Sequence, residues 1–220
     1  MVVAPTSIVN NWQTELDKFA SNVNAVIFSE IQADAREQLI NKLKAGDILL
    51  CSYGLLQSNI ELLEQLDLGM LILDESQAIK NPLTKRAIAA KKLKADFRLV
   101  LSGTPIENNL SELWSQFDFI NPGLLGSLKS FQGKFANAIE INKDKIAQSS
   151  LKQLIQPYML RRIKSQVLTD LPPKIEQTVK IEFDADEAAF YEVIRKQAIA
   201  KLESEEETNI GKRKLQILAE

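Results

Sequence analysis

The sequence contains no histidine and only one cysteine, Cys51, in 220 residues. Zinc sites are built mainly from Cys and His side chains, so this composition excludes a zinc site as well as a catalytic triad that depends on histidine. A single cysteine cannot form a disulfide framework and is typical of a reducing compartment. No apolar run has membrane-spanning length, and the first residues lack the basic segment and cleavage site of a signal peptide. We therefore expect a soluble, intracellular protein without a membrane partner.

The sequence also lacks a strong net charge. Lys and Arg number 27 while Asp and Glu number 29, which gives a net charge of -2 at pH 7. This balance excludes nucleic-acid binding through bulk charge, so any such contact must use local patches. Hydrophobic residues make up 45% of the chain, which is enough for a globular core of normal size.

Five short apolar segments alternate with segments of helical periodicity in the first half of the chain. The apolar segments are residues 1–4, 25–28, 47–51, 70–73 and 97–101. The predicted helices are 8–19 with Ser7 as N-cap, 34–45, 58–67 and 82–94, and 52–54 is a predicted turn. This alternation predicts an α/β fold with a parallel sheet and right-handed crossovers.

The periodicity changes after residue 122. Residues 127–169 are helical in pattern, 175–183 alternate as a strand, and 186–203 form a helix that Asp184 or Asp186 can cap. We therefore expect an α/β domain at 1–121, a helical insertion at 122–170 and a strand–helix connector at 171–220.

Two adjacent acids, Asp74 and Glu75, follow the apolar run at 70–73 directly. An uninterrupted apolar run is typical of a strand buried on both faces of a parallel sheet, and unpaired carboxylates are too costly to stay inside it. The acids should therefore emerge at the carboxyl end of the strand, where ligands bind in open α/β sheets. There one carboxylate can hold Mg²⁺ against nucleotide phosphates and its neighbour can orient a water. A strand followed by an acidic turn is the alternative.

Polar residues also follow three other predicted strands, at 5–7, 52–53 and 102–105. Ser, Thr, Gly and Pro are ordinary turn residues, so each of these segments alone is explained by turn formation. Four polar strand ends at one edge of a sheet are harder to explain in that way. Small hydroxyls and exposed amides are suited to positioning a chain of phosphates.

Several segments resemble one known family. Residues 74–81, Asp-Glu-Ser-Gln-Ala-Ile-Lys-Asn, resemble motif II of the SWI/SNF family of DNA-dependent ATPases, in helicase superfamily two, and residues 101–114, LSGTPIENNLSELW, resemble its motif III and the following helix. Further resemblances are to motif Ia at 2–12, to motif Ib at 51–54, and to the stretch between the two lobes at 159–164 and 171–174. The matches cover nearly the whole chain in the family's order.

The resemblance implies a fold, an activity and partners. The fold is a partial RecA-like sheet of the P-loop NTPase type, flanked by helices and followed by a mainly α-helical region. The activity is that of an ATP-driven translocase on double-stranded DNA that remodels protein–DNA complexes. ATP and Mg²⁺ are the implied cofactors, and double-stranded DNA and a DNA-bound protein are the implied partners. Such a protein would be cytoplasmic, associated with the nucleoid in a bacterium, or nuclear in a eukaryote.

The resemblance also implies roles for individual residues. Asp74 would hold Mg²⁺, Glu75 would activate the attacking water, and Gln77 would sense the nucleotide or the facing lobe. The coupling of hydrolysis to lobe movement would involve Ser102, Gly103 and Thr104. The DNA-binding residues would be Pro5, Thr6, Ser7, Ser52, Tyr53, Lys80, Asn81, Arg161 and Arg162.

Some positions allow more than one interpretation. Ser76 stands where the family more usually has Gly or Ala, and a small hydroxyl should fit there. Lys91, Lys92 and Lys94 lie in a basic stretch but are typical of a solvated helix face. Arg161 and Arg162 could contact DNA or bridge lobes, and a structural ion pair explains them equally well.

The family needs a G-x-x-x-x-G-K-[ST] loop whose amides and lysine cradle phosphates, and this sequence has none. Gly133-Lys134 and Gly211-Lys212 both lack the required Ser or Thr. We therefore expect a fragment that begins at motif Ia, ends before a second lobe, binds ATP and Mg²⁺ weakly, and is inactive alone. A non-catalytic DNA- or protein-binding module on the same scaffold is the alternative. An RNA helicase of the Asp-Glu-Ala-Asp type is disfavoured by Gln77 and by the helical region after residue 122.

Overall fold

A computed structural model describes residues 1–103, 109–162, 177, 179–180 and 183–203, with side chains up to residue 199. The chain divides into two compact units, Met1–Leu160 and Arg161–Glu220, which are described separately below. Among the described residues, no helix is long and apolar enough to span a membrane.

The first unit is built on a sheet of five parallel strands. In chain order they are β1 (Val2–Ala4), β2 (Ala25–Ile27), β3 (Ile48–Ser52), β4 (Asp67–Leu73) and β5 (Lys94–Val100). Their order across the sheet is β2-β3-β1-β4-β5, and every pairing is parallel. The predicted α/β fold with a parallel sheet is thereby confirmed.

Helices connect and cover these strands. They are α1 (Thr6–Phe19), α2 (Arg36–Lys42), α3 (Tyr53–Ser58), α4 (Ile60–Leu63), α5 (Lys85–Lys92) and α6 (Leu110–Ile120). Short 3₁₀ turns occupy Phe28–Glu30, Ala33–Ala35 and Ser76–Ile79. Beyond α6 come α7 (Leu128–Phe131), a π-helical turn (Gln132–Ala136), α8 (Asn137–Glu140), α9 (Lys145–Ile155) and a 3₁₀ turn (Gln156–Tyr158).

Alternate residues of β1, β2, β3 and β4 enter two different apolar cores, because successive side chains of a strand point to opposite faces. One core contains Val3 and Leu71 of the sheet and is covered mainly from α3, α4 and α5. The opposite core contains Val2 and Leu50 and is covered by α1. Burial on both faces explains the continuous apolar runs of β1 and β3, whereas β5, at the edge of the sheet, has no buried residue and leaves Phe97 53% exposed.

A third core lies among the helices that follow the sheet. Helix α6 provides Leu113, Trp114 and Phe117 to this core, where they meet Phe131 of α7 and Leu151 of α9. The same helix provides Phe119 to the main core of the sheet. Helix α6 therefore joins the sheet to the helical region.

Some predicted boundaries were wrong, and local capping explains several of them. Helix α1 begins at Thr6 with Pro5 at the N-cap position, so Ser7 lies inside the helix and does not cap it. The predicted turn at 52–54 is the start of α3, because the Ser52 hydroxyl accepts a hydrogen bond from the amide of Leu55 at 3.3 Å. Helix α5 begins three residues after Pro82, because Thr84 caps it in the same way.

Other helix predictions were wrong in extent or exposure. The predicted helix at 58–67 is shortened to α4, since Ser58 ends α3 and Asp67 begins β4, and the helix at 34–45 ends at Lys42. Lys91 is not on a solvated face, because its ammonium pairs with Asp118 and lies 5.1 Å from the centre of the Trp114 ring.

The described part of the second unit contains one helix, α10 (Ala185–Glu203). The Asp184 carboxylate accepts hydrogen bonds from the amides of Asp186 and Glu187 at 3.0 and 2.8 Å, which confirms the predicted cap. The predicted strand at 175–183 falls mostly outside the described residues.

Candidate functional site at the carboxyl edge of the sheet

The carboxyl ends of four strands bring the predicted polar residues to one edge of the sheet. Because all strands are parallel, the order of the strands fixes the order of the residues that follow them. Ser52 ends β3, Pro5 and Thr6 follow β1, Asp74 follows β4, and Ser102 lies just beyond β5. The edge therefore runs from the small hydroxyls of Ser52 and Thr6, through Asp74, to Ser102.

Hydrogen bonds from three elements fix Asp74. The indole Nε1 of Trp12, on α1, donates to Asp74 Oδ2 at 2.8 Å, and the amide of Glu75 donates to Asp74 Oδ1 at 2.9 Å. The Tyr53 hydroxyl, on α3, donates to the backbone carbonyl of Asp74 at 2.8 Å. On the backbone, the Asp74 amide donates to the carbonyl of Val3 at 2.8 Å, which continues the ladder of β1 and β4. The orientation of this carboxylate is therefore set before any ligand binds.

Tyr53 supports the Asp74 backbone from the interior of the protein. Its side chain is buried, and burial raises the pKa of its hydroxyl, with the nearby charges of Asp74 and Glu75 adding to the rise. The hydroxyl therefore stays protonated and keeps its bond to the Asp74 carbonyl. Of the predicted DNA-binding residues, Tyr53 is placed against the acids and away from solvent.

Glu75 adopts a left-handed backbone conformation, with φ 48° and ψ 55°. This region costs an L-residue other than glycine about 1–2 kcal/mol, and such strain clusters at functional sites. The conformation ends the strand and starts the 3₁₀ turn Ser76–Ile79. It brings the Glu75 carboxylate within reach of Gln77, whose Nε2 donates to Glu75 Oε2 at 2.7 Å.

A chain of side-chain hydrogen bonds connects this turn to the end of β5. Ser102 Oγ donates to Gln77 Oε1 at 3.4 Å, and Gln77 in turn donates to Glu75. The amide nitrogen of Gln77 is thereby directed at Glu75 and its oxygen at Ser102. Gly103 is exposed and adjoins Ser102, whereas Thr104 lies outside the described residues.

Ser76 is fully buried inside the same turn, and its hydroxyl has no hydrogen-bond partner within the described part of the chain. A buried hydroxyl without a partner is unfavourable, so the small side chain fits at this position in size but at a cost in stability.

A groove of about 400 Å³ opens at the other end of the edge. Two segments of the chain line most of it: Thr6, Val9 and Asn10 of α1, and Ser52, Gly54 and Leu55 at the start of α3. Ser29 also lines the groove. Two of the predicted DNA-binding residues, Thr6 and Ser52, therefore meet in one concave surface. Ser7 is exposed nearby on α1.

Lys80 and Asn81 follow the turn that carries Gln77. The Lys80 ammonium lies 3.7 Å from a carboxylate oxygen of Glu112, which is nearly buried in α6. The Asn81 side chain accepts a hydrogen bond from the amide of Leu83 at 3.0 Å and so shapes its own loop. Arg161 and Arg162 are exposed residues of the second unit, and the Arg162 side chain donates to the carbonyl of Arg161 at 3.4 Å.

The oxygen ligands at this edge suit a hard cation. Within the described ranges, no group of three or more Asp, Glu, Cys or His side chains forms a protein cage for a metal. Mg²⁺ is usually held by one or two carboxylates, with water and substrate phosphates completing the shell. Each Asp74 oxygen accepts one hydrogen bond and keeps a second lone pair. Asp74 therefore has the oxygen ligands and the lone pairs that a magnesium ion would need.

Three side chains at this site were not predicted from the sequence as functional. Trp12 lies in the predicted helix and at the end of the stretch that resembles motif Ia, and no role was given to it, although an indole N–H in a half-buried position usually finds an acceptor. Glu112 and Ser115 lie on α6, and both contact the loop after the acids, the latter through a 2.7 Å hydrogen bond to the carbonyl of Ile79. Burial of these two polar residues could not be derived from the periodicity of α6.

Comparisons with known proteins agree with this geometry. The family model for the SNF2-related domain matches residues 1–220. YwqA of Bacillus subtilis, named as an ATP-dependent helicase/translocase, is 39% identical over 198 residues, which cover 89% of this chain and 22% of YwqA. The TATA-binding protein-associated factor MOT1 of Saccharomyces cerevisiae is 35% identical over 209 residues, covering 90% of this chain and 11% of MOT1.

A solved structure is also similar, the Sulfolobus solfataricus SWI2/SNF2 ATPase core in complex with double-stranded DNA. The TM-score is 0.67 and the identity 36%, covering 99% of this chain and 45% of the solved chain. This chain spans about a fifth of the length of YwqA and a smaller share of MOT1. The parallel sheet, the acids at its carboxyl edge and the match of the family model to all 220 residues show that the chain belongs to the SNF2-related domain family.

Proposed function

We propose that this chain is the part of a longer ATP-driven translocase that holds Mg²⁺ and the attacking water, and that the whole protein moves on double-stranded DNA and remodels protein–DNA complexes. One observation carries the proposal: Asp74, Glu75, Gln77 and Ser102 form a hydrogen-bonded network at the carboxyl edge of a parallel sheet. Family membership and similarity to an ATPase core that was solved with double-stranded DNA support it.

Each member of the network has a separate task in this proposal. The Glu75 carboxylate orients and polarises the attacking water, and Gln77 holds that carboxylate by its 2.7 Å hydrogen bond. Asp74 would hold Mg²⁺, which when bound supplies positive charge against the nucleotide phosphates. The bonds from Trp12 and from the Glu75 amide keep the Asp74 carboxylate in place for this task. Ser102, Gly103 and Thr104 couple the state of the nucleotide to lobe movement.

We assign the DNA backbone to the groove at the other end of the edge. Helix α1 begins at this groove without a side-chain cap and without an acidic residue in its first turn, so its amide groups favour an anion there. The hydroxyls of Thr6 and Ser52 offer phosphate hydrogen bonds in the same groove. The remaining candidates for DNA contacts are Pro5, Ser7, Lys80, Asn81, Arg161 and Arg162. For the remodelled partner we propose a DNA-bound protein, since MOT1 is named for its association with the TATA-binding protein.

Residues 1–220 alone should bind ATP weakly and hydrolyse none measurably. The sequence contains no G-x-x-x-x-G-K-[ST] loop to cradle the β- and γ-phosphates. ATP hydrolysis should therefore be measured on the longer polypeptide.

The substitution Glu75→Gln in the longer polypeptide tests this proposal. Glutamine keeps the shape of the side chain but cannot act as a carboxylate, so we expect phosphate release to fall by about 10³-fold or more. Binding of ATP, measured by fluorescence of a labelled analogue, should stay within about twofold. Glu61→Gln, at an exposed position of α4, is the matched control and should keep the wild-type rate.

Unchanged turnover in Glu75→Gln would remove Glu75 from its proposed role. If neither the wild type nor the variant hydrolyses ATP with DNA present, the chain is a non-catalytic module on this scaffold.

A further inference from the structure

The 3₁₀ turn Ser76–Ile79 is held at both of its ends by other elements. At its start, the amide of Ser76 donates to the carbonyl of Leu101, just beyond β5, at 3.0 Å. At its end, Ser115 Oγ, on α6, donates to the carbonyl of Ile79 at 2.7 Å. Gln77 lies between these two anchors and holds the Glu75 carboxylate. The position of the Glu75 carboxylate therefore depends on both anchors.

The contact from α6 is more specific than ordinary helix packing. Ser115 is fully buried, and serines inside helices often bond back to their own preceding turn. Its hydroxyl instead reaches a carbonyl 36 residues away in sequence. One turn earlier on the same helix, the nearly buried carboxylate of Glu112 lies 3.7 Å from the ammonium of Lys80, the residue after Ile79. Buried polar groups are costly unless they are paired, so α6 presents two polar groups to this short stretch at a cost that apolar residues would avoid.

We propose that Ser115 is a positioning residue for ATP hydrolysis, with Glu112 in support: the hydrogen bond to Ile79 fixes the end of the turn so that Gln77 orients the Glu75 carboxylate. This inference rests on the proposed function. It assigns to α6 a direct part in setting the geometry of the water-activating group, in addition to its part in the two apolar cores.

The test compares three variants of the longer polypeptide in DNA-stimulated ATP hydrolysis. Ser115→Ala should lower kcat about tenfold, while the KM for ATP stays within about twofold, because the lost contact affects orientation of the water rather than nucleotide binding. Glu112→Gln, which keeps the size of the side chain and removes its charge, should lower kcat about threefold. Ser111→Ala lies on the same helix and has no hydrogen bond to the turn among the described residues, so it should keep kcat within about twofold.

A second readout separates positioning from a loss of folded protein. In Ser115→Ala, hydrogen exchange should become faster at the amides of Ala78 and Lys80, which bond inside the turn to the carbonyls of Glu75 and Gln77. Exchange in β1 and β3 should not change. A lower melting temperature with unchanged kcat per folded molecule, or equal kcat in Ser115→Ala and Ser111→Ala, would overturn the proposal.

Two further outcomes are also informative. If Ser115→Ala is not recovered as folded protein, the kcat of Glu112→Gln tests the inference instead. A kcat of Glu112→Gln equal to that of the wild type would reject the inference. If the wild-type polypeptide itself shows no DNA-stimulated hydrolysis, the proposed function fails, which is distinct from a failure of Ser115 alone.

Discussion

The two ends of the same sheet edge are organised differently. At the end with the acids, Trp12 donates a hydrogen bond to Asp74, and Gln77 donates one to Glu75. Gln77 also accepts a hydrogen bond from Ser102. At the other end, small polar side chains line an open groove of about 400 Å³ together with Val9 and Leu55. The first arrangement holds a few groups in fixed positions, as a reaction requires. The second offers many small contacts, as a repetitive phosphate backbone requires.

One helix connects the two ends. The first turns of α1 line the groove through Thr6 and Asn10, and Trp12 of the same helix donates to Asp74 at 2.8 Å. A ligand that shifts the start of α1 can therefore reach the Asp74 carboxylate through a single rigid element. One edge of the sheet therefore carries both a fixed site and an open groove, and α1 connects them.

Among the substitutions that compare the two ends, the largest effect is expected at the end with the acids. Asp74→Asn in the longer polypeptide removes the charge that would hold Mg²⁺, and we expect phosphate release to fall by about 10²–10³-fold. Binding of double-stranded DNA, measured by fluorescence anisotropy, should stay within about threefold. Asp67→Asn, at the exposed start of the same strand, is the control. An equal loss of DNA binding would mean that the two ends are not functionally distinct.

A smaller effect is expected at the groove. Thr6→Glu places a negative charge where we propose that a phosphate binds, and the Kd for double-stranded DNA should rise about tenfold at low salt. The same substitution at Thr14, an exposed position two turns along α1, should change the Kd by less than about twofold. If the two variants bind DNA equally well, the backbone of DNA does not occupy this groove.

The smallest effect is a gain of stability. Ser76→Ala removes a buried hydroxyl that has no partner in the described structure, so the free energy of unfolding should increase by about 1 kcal/mol. Ser115→Ala should have the opposite effect, since it leaves the Ile79 carbonyl without its partner. Urea denaturation of residues 1–220 measures both. A loss of stability in Ser76→Ala would show that the Ser76 hydroxyl has a hydrogen-bond partner. The hydrogen-bond network around the acids would then include Ser76 as well.

Local patterns in the sequence were sufficient to predict the sheet and the edge. Apolar runs such as 70–73 predict strands buried on both faces, and two acids after such a run must emerge at its carboxyl end. The order β2-β3-β1-β4-β5 could not be predicted, because it depends on pairings between residues far apart in sequence. For the same reason the bonds of Trp12 to Asp74 and of Ser115 to Ile79 were not predicted. The misplaced helix start near Pro82 shows that a capping interaction, here from the Thr84 hydroxyl, decides a boundary when periodicity does not, whereas α1 starts at Thr6 without a side-chain cap.

The rate of phosphate release with and without double-stranded DNA tests whether this chain is part of a longer ATPase that DNA stimulates. It should be measured at saturating ATP and Mg²⁺ on the longer polypeptide and on residues 1–220 alone. We expect that DNA stimulates phosphate release by the longer polypeptide and that residues 1–220 alone give no measurable release. Robust DNA-stimulated hydrolysis by residues 1–220, or no stimulation in the longer polypeptide, would contradict this expectation.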